Sequence, residues 1–273
     1  MKKRGNTKFF DIIMIIIAIL WLIPVFWMVD TAFKPTPEIF TRPPKWIPES
    51  FTLEHIRGVI NNWPFGRWLL NSVVVSGFST LISLFLSIFA AYSFARIQWK
   101  GRDFLFVVLL ASMLIPWQIN GVPLYFLMNN LNLLNKLIAV ILPISAMPIG
   151  VFLLRQFFIG IPTELEDSAR IDGCNRLDIL FRIIIPVSAP ALSALGIYMF
   201  IFSWNEYFWS LIALQRINKF TLPIGLNTLQ GAYDIEYGLL MAAAFLASIP
   251  VMIVFLILRR QIIKGMSWSG VTK

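Results

Sequence analysis

The densest run of ionisable side chains lies between Ile161 and Pro186, reading IPTELEDSARIDGCNRLDILFRIIIP. Glu166/Arg170, Asp172/Arg176 and Asp178/Arg182 are each four apart with the acid first, the favourable order for ion pairs on a helix. The middle pair straddles Gly173, so it is the one that need not close. Thr163 and Glu166 fit a capping box, and Pro162 suits a helix start. Gly173 suits a left-handed stop. Asn175 then caps a second helix running on toward the next apolar stretch, with Leu177, Leu180, Phe181 and Ile184 as its apolar stripe. Two readings of this segment stand side by side. One is a solvated helical hairpin between two membrane spans. The other is a docking element, in which Glu164, Glu166, Asp167, Arg170 and Asp172 surround a small-residue face (Ser168, Ala169) that enters a groove on a partner.

None of these charges makes a catalytic centre. The chain has no G-x-x-x-x-G-K-[ST] for nucleotide phosphates, no H-E-x-x-H and no G-x-S-x-G. A single histidine, His55, and a single cysteine, Cys174, exclude a disulfide framework and a clustered zinc site built from this chain alone. Any work the protein does must therefore be driven by a partner or by an ion gradient.

The elements that carry this segment are set by composition. Of 273 residues, 58% are apolar and 14% charged, and the mean hydropathy is +0.76. A soluble domain runs nearer half apolar and a quarter charged. Six charge-free windows have the length a bilayer requires: Ile12–Met28, Trp68–Phe94, Phe104–Asn129, Leu137–Leu154, Ile183–Asn205 and Gly238–Leu258. They predict spans near 10–30, 68–94, 104–129, 137–157, 183–208 and 238–259. The fold class is an all-α integral membrane protein, a helical bundle forming one membrane domain over 1–273, since backbone polar groups in lipid must be satisfied within the helix. The first window ends in bulky residues with no small-x-small cleavage site, and is read as a retained helix. Pro24, Pro116, Pro143, Pro148, Pro186, Pro190 and Pro250 are expected to break or kink the spans.

With both termini inside, the inner segments hold 15 of the 23 Lys and Arg residues and the outer segments 8. The inner set is Lys2, Lys3, Arg4, Lys8, Arg96, Lys100, Arg102, Arg155, Arg170, Arg176, Arg182, Arg259, Arg260, Lys264 and Lys273. The asymmetry favours cytoplasmic termini and a cytoplasmic 161–186 loop. The net charge of +9 is then a property of loops facing an anionic leaflet rather than a nucleic-acid footprint.

A few amides interrupt the apolar spans. Asn71, Gln118, Asn120 and Asn205 would be costly in lipid and should face the bundle interior. For Asn71 helix–helix hydrogen bonding is the favoured role. Gln118 and Asn120 flank an expected break after Pro116, where a pathway role and a structural one are equally open. Asn205, Glu206 and Tyr207 follow Trp204; amides beside aromatics suit sugar hydroxyls and ring faces, whereas an interfacial aromatic belt with Trp209 is the alternative. The Trp and Phe excess of the chain (10 Trp, 24 Phe) is read as mostly membrane-facing.

The spacing Asp167-Ser168-Ala169, three residues, Gly173, nine residues, Ile183-x-Ile185-Pro186 resembles the EAA loop of ABC importer permeases, E-A-A-x3-G-x9-I-x-L-P. Asp167, Ser168 and Ile185 are conservative departures. The similarity extends along the chain in order: TAFKPTPEIF, RWLLNSVVVSG, AAYSFARIQWKG, IPWQINGVPLYFLM, SWNEYFW, LPIGLNTLQG and the tail from Met241 to GMSWSGVTK. The carbohydrate-uptake subgroup, the maltose- and glycerol-phosphate-type permeases, is the part of the family that it resembles.

That resemblance implies a transport subunit rather than an enzyme. It implies pairing with a second related permease, assembly on a dimer of ATPase subunits that binds the ATP and magnesium, and cargo delivered by an extracytoplasmic binding protein. No cofactor is implied on this chain. The 161–186 loop would couple to the ATPase through Glu164–Asp172, with Gly173 as its terminating turn; in some members the C-terminal tail also touches the ATPase. Half of a pathway for a sugar or related polyol in a bacterial inner membrane is the implied role. The competing hypothesis is an ion-gradient-driven carrier, which would need ionisable groups within the membrane; only Asp30 and Glu206 lie near span ends. A purely structural scaffold is a third reading, which accounts less simply for the amides.

Overall fold

The computed structural model describes residues 5–230 and 236–268, with side chains described for 9–230 and 236–257. The tail motif ending GMSWSGVTK and the basic residues Lys2, Lys3, Arg4, Lys8, Arg259, Arg260, Lys264 and Lys273 fall outside the described side chains. Among the described residues there is no strand. The helices are α1 (Gly5–Phe33), α2 (Thr36–Ile39), α3 (Glu54–Asn62), α4 (Phe65–Arg96), α5 (Arg102–Ser112), α6 (Gly121–Asn130), α7 (Ile138–Ser145) and α8 (Pro148–Ile159). There follow α9 (Glu164–Ile171), α10 (Arg176–Ile179), α11 (Ile185–Val187), α12 (Ala189–Trp204), α13 (Phe208–Ala213), α14 (Leu222–Thr228) and α15 (Tyr237–Trp268).

Among the described residues, four stretches are long and apolar enough to cross a bilayer: Phe9–Phe33, Phe65–Arg96, Ile138–Ile159 and Tyr237–Ile257. Two further candidates are bent pairs. Arg102–Ser112 and Trp117–Asn130 meet at 92°, and Arg176–Val187 and Ala189–Trp204 meet at 77°. If each bent pair is one span, the number is six.

The prolines do not act alike, and this corrects the expectation that each interrupts its span. α1 runs through Pro24 and α15 through Pro250. A proline in a long helix forfeits one backbone bond, and the remaining ladder carries the helix across. At the breaks, proline begins the next helix instead. Pro148, Pro186 and Pro190 occupy the first turns of α8, α11 and α12, where their missing N–H groups have no helical partner to lose. Pro116 leaves helical geometry (ψ 126°) and opens a 3-10 turn over Trp117–Asn120. The helix after Asn175 likewise does not run straight into the next span. Residues Leu180–Ile184 form a π-helical turn, and the direction changes at Ser188.

The described residues group into two compact units, one within Met1–Gly66 and Gly225–Ile249, the other within Arg67–Ile224 and Pro250–Lys273. In the first, the segment after α1 folds around a buried charge. Lys34 is paired with Asp30, and its ammonium donates to the Lys45 carbonyl at 2.6 Å and lies 5.1 Å from the centre of the Trp27 ring. A buried ion is tolerated only when its hydrogen bonds and its opposite charge are both supplied, as they are here. The Lys34 carbonyl also lies 3.0 Å from the Nε2 of the buried His55 on α3.

The second unit has the larger core. Leu154 and Phe158 of α8, Ile179, Leu180 and Ile184 around the π turn, Leu195 and Met199 of α12, and Trp209 of α13 are all fully buried. α8 and α4 approach so closely at Gly150 that an added Cβ would overlap the Ser87 hydroxyl. At its Arg96 end, α4 is also tied to α8 and α5: Arg155 donates to the Phe94 carbonyl at 3.3 Å, and its guanidinium lies 3.9 Å from the centre of the Phe106 ring.

Candidate functional site

Two features of the second unit carry the residues singled out from the sequence. The first is the charged loop. α9 is eight residues long and shows most of its side chains to solvent; only Glu166 and Ala169 are buried. The expected capping box is absent. Thr163 sits in right-handed helical geometry with no side-chain cap, and its carbonyl accepts from the N–H groups of Glu166 and Asp167 at 2.9 and 3.0 Å. Glu166 is unavailable for a cap because its carboxylate points inward to Arg96, the last residue of α4, with Nε to Oε1 at 2.7 Å. Their side chains are 9% and 2% exposed. Arg96 also donates to the Ile161 carbonyl, and the second Glu166 oxygen receives Arg170 at 3.3 Å. Loss of either partner of a buried pair leaves a stranded charge, at a cost of about 3–5 kcal/mol.

The rest of the loop follows the local signals. Asp167 pairs with Arg170 at 2.7 Å, and the Ser168 hydroxyl bonds back to the Glu164 carbonyl at 2.8 Å. Gly173 adopts φ +85°, and the N–H groups of Gly173 and Cys174 close on the carbonyls of Arg170 and Ala169 at 3.0 and 2.9 Å. This is a left-handed helix stop that glycine reaches without steric penalty. Asn175 and Asp178 form a full capping box for α10. Asp178 and Arg182 lie 3.4 Å apart. The apolar stripe divides: Leu180 and Ile184 are buried, whereas Leu177 and Phe181 are exposed, as are Leu165 and Ile171 (87%). α9 and its turn therefore present both acids and apolar side chains outward, which suits a protein partner better than plain solvent.

The second feature is a groove of about 530 Å³ at the junction of α12 and α13, opposite the 3-10 turn. Gln118, Asn205, Glu206 and Tyr207 all line it, together with Trp117, Tyr198, Phe202 and Phe208, none of which the sequence singles out. Asn120 belongs to an adjoining hollow of about 480 Å³ that shares Trp117 and Tyr198. Glu206 is buried, and its two oxygens accept from the Trp209 N–H (2.7 Å), the Ser210 N–H (2.9 Å) and the Ser210 hydroxyl (2.6 Å). It acts as the cap of α13. Asn205 donates to the Ile201 carbonyl at 2.9 Å. The exposed groups of the groove are thus aromatic faces with the amides of Gln118 and Asn205.

Trp209 is not in an interfacial belt. It is fully buried, and its indole donates to the Ala139 carbonyl at 2.8 Å, tying α13 to α7. Asn71 is engaged structurally, but with the 3-10 turn and loop after α13 rather than in the helix–helix bond favoured for it. Its amide donates to the carbonyls of Asn218 and Phe220 at 3.1 and 2.9 Å, beside Trp68 Nε1 to Ile217 (2.8 Å) and the Leu222 N–H to the Ser72 hydroxyl (2.7 Å). Arg96 is the residue that the sequence reading missed. Its only local signal is a lone cation closing a long apolar run.

Comparison with known proteins shows the family. The family described as "Binding-protein-dependent transport system inner membrane component" matches residues 83–268. The chain is 36% identical over 258 residues to the arabinooligosaccharides transport system permease protein AraQ of Halalkalibacterium halodurans, covering 93% of this chain and 92% of that one. It is 32% identical over 250 residues to the diacetylchitobiose uptake system permease protein DasC of Streptomyces coelicolor, covering 91% of each. A solved bacterial ABC transporter involved in the import of the acidic polysaccharide alginate contains a chain with the same fold. The TM-score is 0.83 at 21% identity, over 95% of this chain and 98% of that one. The chain belongs to the binding-protein-dependent transport system inner membrane components, as an ABC transporter permease of the carbohydrate-uptake branch.

Proposed function

We propose that this permease forms half of the translocation pathway for a sugar or related polyol, with ATP hydrolysed on a separate chain. A second related permease would supply the other half, an ATPase dimer would seat α9 and its turn, and a binding protein would deliver the cargo from outside. The observation that carries this reading is α9 itself, a short, mostly exposed helix with outward acids and apolar side chains, anchored on the end of a long membrane helix by a buried ion pair. Relatives named for arabinooligosaccharide and diacetylchitobiose uptake support a saccharide cargo, and the aromatic and amide lining of the α12–α13 groove suits one. In this reading each bent pair is one span, the crossings number six, and both termini lie on the cytoplasmic side; the distribution of Lys and Arg supports that orientation.

The groups that an ion-driven carrier would need are otherwise engaged. Asp30 is paired with Lys34, and Glu206 is consumed by capping α13.

Isolation of the tagged chain from its native membrane tests the proposal. A P-loop ATPase and a second permease should copurify, and hydrolysis should rise when sugar-loaded binding protein is added. Uphill accumulation of sugar by the purified chain alone in vesicles would overturn it.

A further inference from the structure

α4 has 32 residues, about 48 Å at 1.5 Å per residue. Both of its ends are held by polar contacts to loops. At one end, Arg96 grips Glu166 of α9 and the Ile161 carbonyl that precedes it. At the other end, Trp68, Asn71 and Ser72 bond the backbone of Ile217, Asn218, Phe220 and Leu222. These struts attach to the loop that follows α13, the helix beside the groove, where Asn135 Oδ1 also accepts the N–H groups of Gln215 and Arg216 at 2.6 and 3.1 Å. The chain thus places one rigid helix between the charged loop and the segment beyond the groove.

We propose that the Arg96–Glu166 pair is the positioning latch of coupling, through which displacement of α9 is passed to α4 and by α4 to the Ile217–Leu222 segment. This deepens the proposed function and rests on its reading of α9 as the ATPase contact. The geometry explains why a charged latch is used. α9 buries only one small apolar side chain, Ala169, besides Glu166, so apolar packing alone would let the helix roll or slide. The guanidinium is held by a carboxylate and by a backbone carbonyl on the two sides of the Thr163 turn, so it fixes both the position and the direction of the helix. Arg96 touches neither nucleotide nor cargo in this scheme; it acts through α9.

The test uses the whole transporter, with its ATPase and second permease, in lipid nanodiscs. The readout is the ratio of ATP turnover with sugar-loaded binding protein to turnover without it. Arg96→Gln and Glu166→Gln should each reduce that ratio at least fivefold while the ATPase still copurifies. Arg96→Lys keeps the charge of the ion pair but offers one compact ammonium in place of the guanidinium that pairs with Glu166 and donates to the Ile161 carbonyl, and it should recover part of the ratio. The exchange Arg96→Glu with Glu166→Arg should outperform either single reversal. A purely structural pair would change yield and thermal midpoint but leave the ratio intact, and that result overturns the latch. If Arg96→Gln does not assemble, Arg96→Lys decides by the same ratio, an unchanged value again overturning the latch. The reading beneath fails separately, in the unmutated complex: no copurifying ATPase, or no stimulation by loaded binding protein.

Discussion

Glu206 Oε2 accepts both the N–H and the hydroxyl of Ser210, while Oε1 takes the Trp209 N–H, so one buried carboxylate organises the whole first turn of α13. The helix is only six residues long and could not hold itself by propensity. Its position is set by this cap at one face and by the Trp209 indole on the Ala139 carbonyl at another.

Glu206→Ala should therefore lower the stability of the detergent-solubilised complex by about 1–3 kcal/mol, the range for a lost helix cap together with buried N–H groups left unpaired. Glu206→Gln, which keeps an acceptor oxygen, should fall between. The thermal midpoint measures both. Equal midpoints for Glu206→Ala and the unmutated chain would show that α13 does not depend on the cap.

Gly173 gives a backbone test. Nothing lies within 4 Å of a Cβ built there, so a substitution meets no clash and its only penalty is the left-handed φ of +85°. That penalty is about 1–2 kcal/mol for a residue with a Cβ, and more for a β-branched one. Gly173→Val should thus impair sugar uptake strongly and Gly173→Asn mildly, with both proteins still inserted in the membrane. Uptake assays on membrane-matched samples would show the order; full uptake by Gly173→Val would count against the α9–α10 turn as a coupling element.

The local features of this loop were legible in the sequence because they are written within a few residues. Gly173 as a stop and Asn175 as a cap follow from spacing alone. Glu166 was misread for the opposite reason. Three residues after Thr163 and four before Arg170, it satisfies two local templates, yet a buried carboxylate meets a partner from a distant helix and abandons the cap. The prolines teach the same lesson. Pro24 and Pro190 look alike in an apolar run, but α1 passes through one and α12 begins at the other, and no pattern within a few residues separates the two cases. Trp209 and the groove's Trp117, Tyr198, Phe202 and Phe208 were equally illegible, since where an aromatic side chain ends up depends on which helices close around it.

The close approach of α4 and α8 can be probed at Gly150. A Cβ there would overlap Ser87 Oγ and come within 3.3 Å of Leu195. Ser87 is buried and its short side chain has little room to turn away. Gly150→Ala should cost about 1–3 kcal/mol, as overpacking does. Ser87→Gly should restore much of that loss in the double variant, and a double-mutant cycle on thermal midpoints should show the coupling. Additive effects would mean that the two helices can separate at this point without penalty.

The groove makes the remaining prediction. Tyr207 and Asn205 are exposed within it; among the described residues the Asn205 amide bonds its own helix at Ile201, and Tyr207 precedes α13. A sugar passing here would place a C–H face on the aromatic ring and its hydroxyls on the amides. Tyr207→Ala should raise the half-saturating sugar concentration for uptake by roughly two- to tenfold, the equivalent of about 0.5–1.5 kcal/mol for one aromatic contact. Asn205→Ala should act in the same direction. The ratio of ATP turnover with and without loaded binding protein should stay near its original value in both, because neither residue lies on the path from α9 through Arg96. This separation is the informative part. A variant that lost stimulation and kept its half-saturating concentration would place Tyr207 in coupling rather than along the cargo's route.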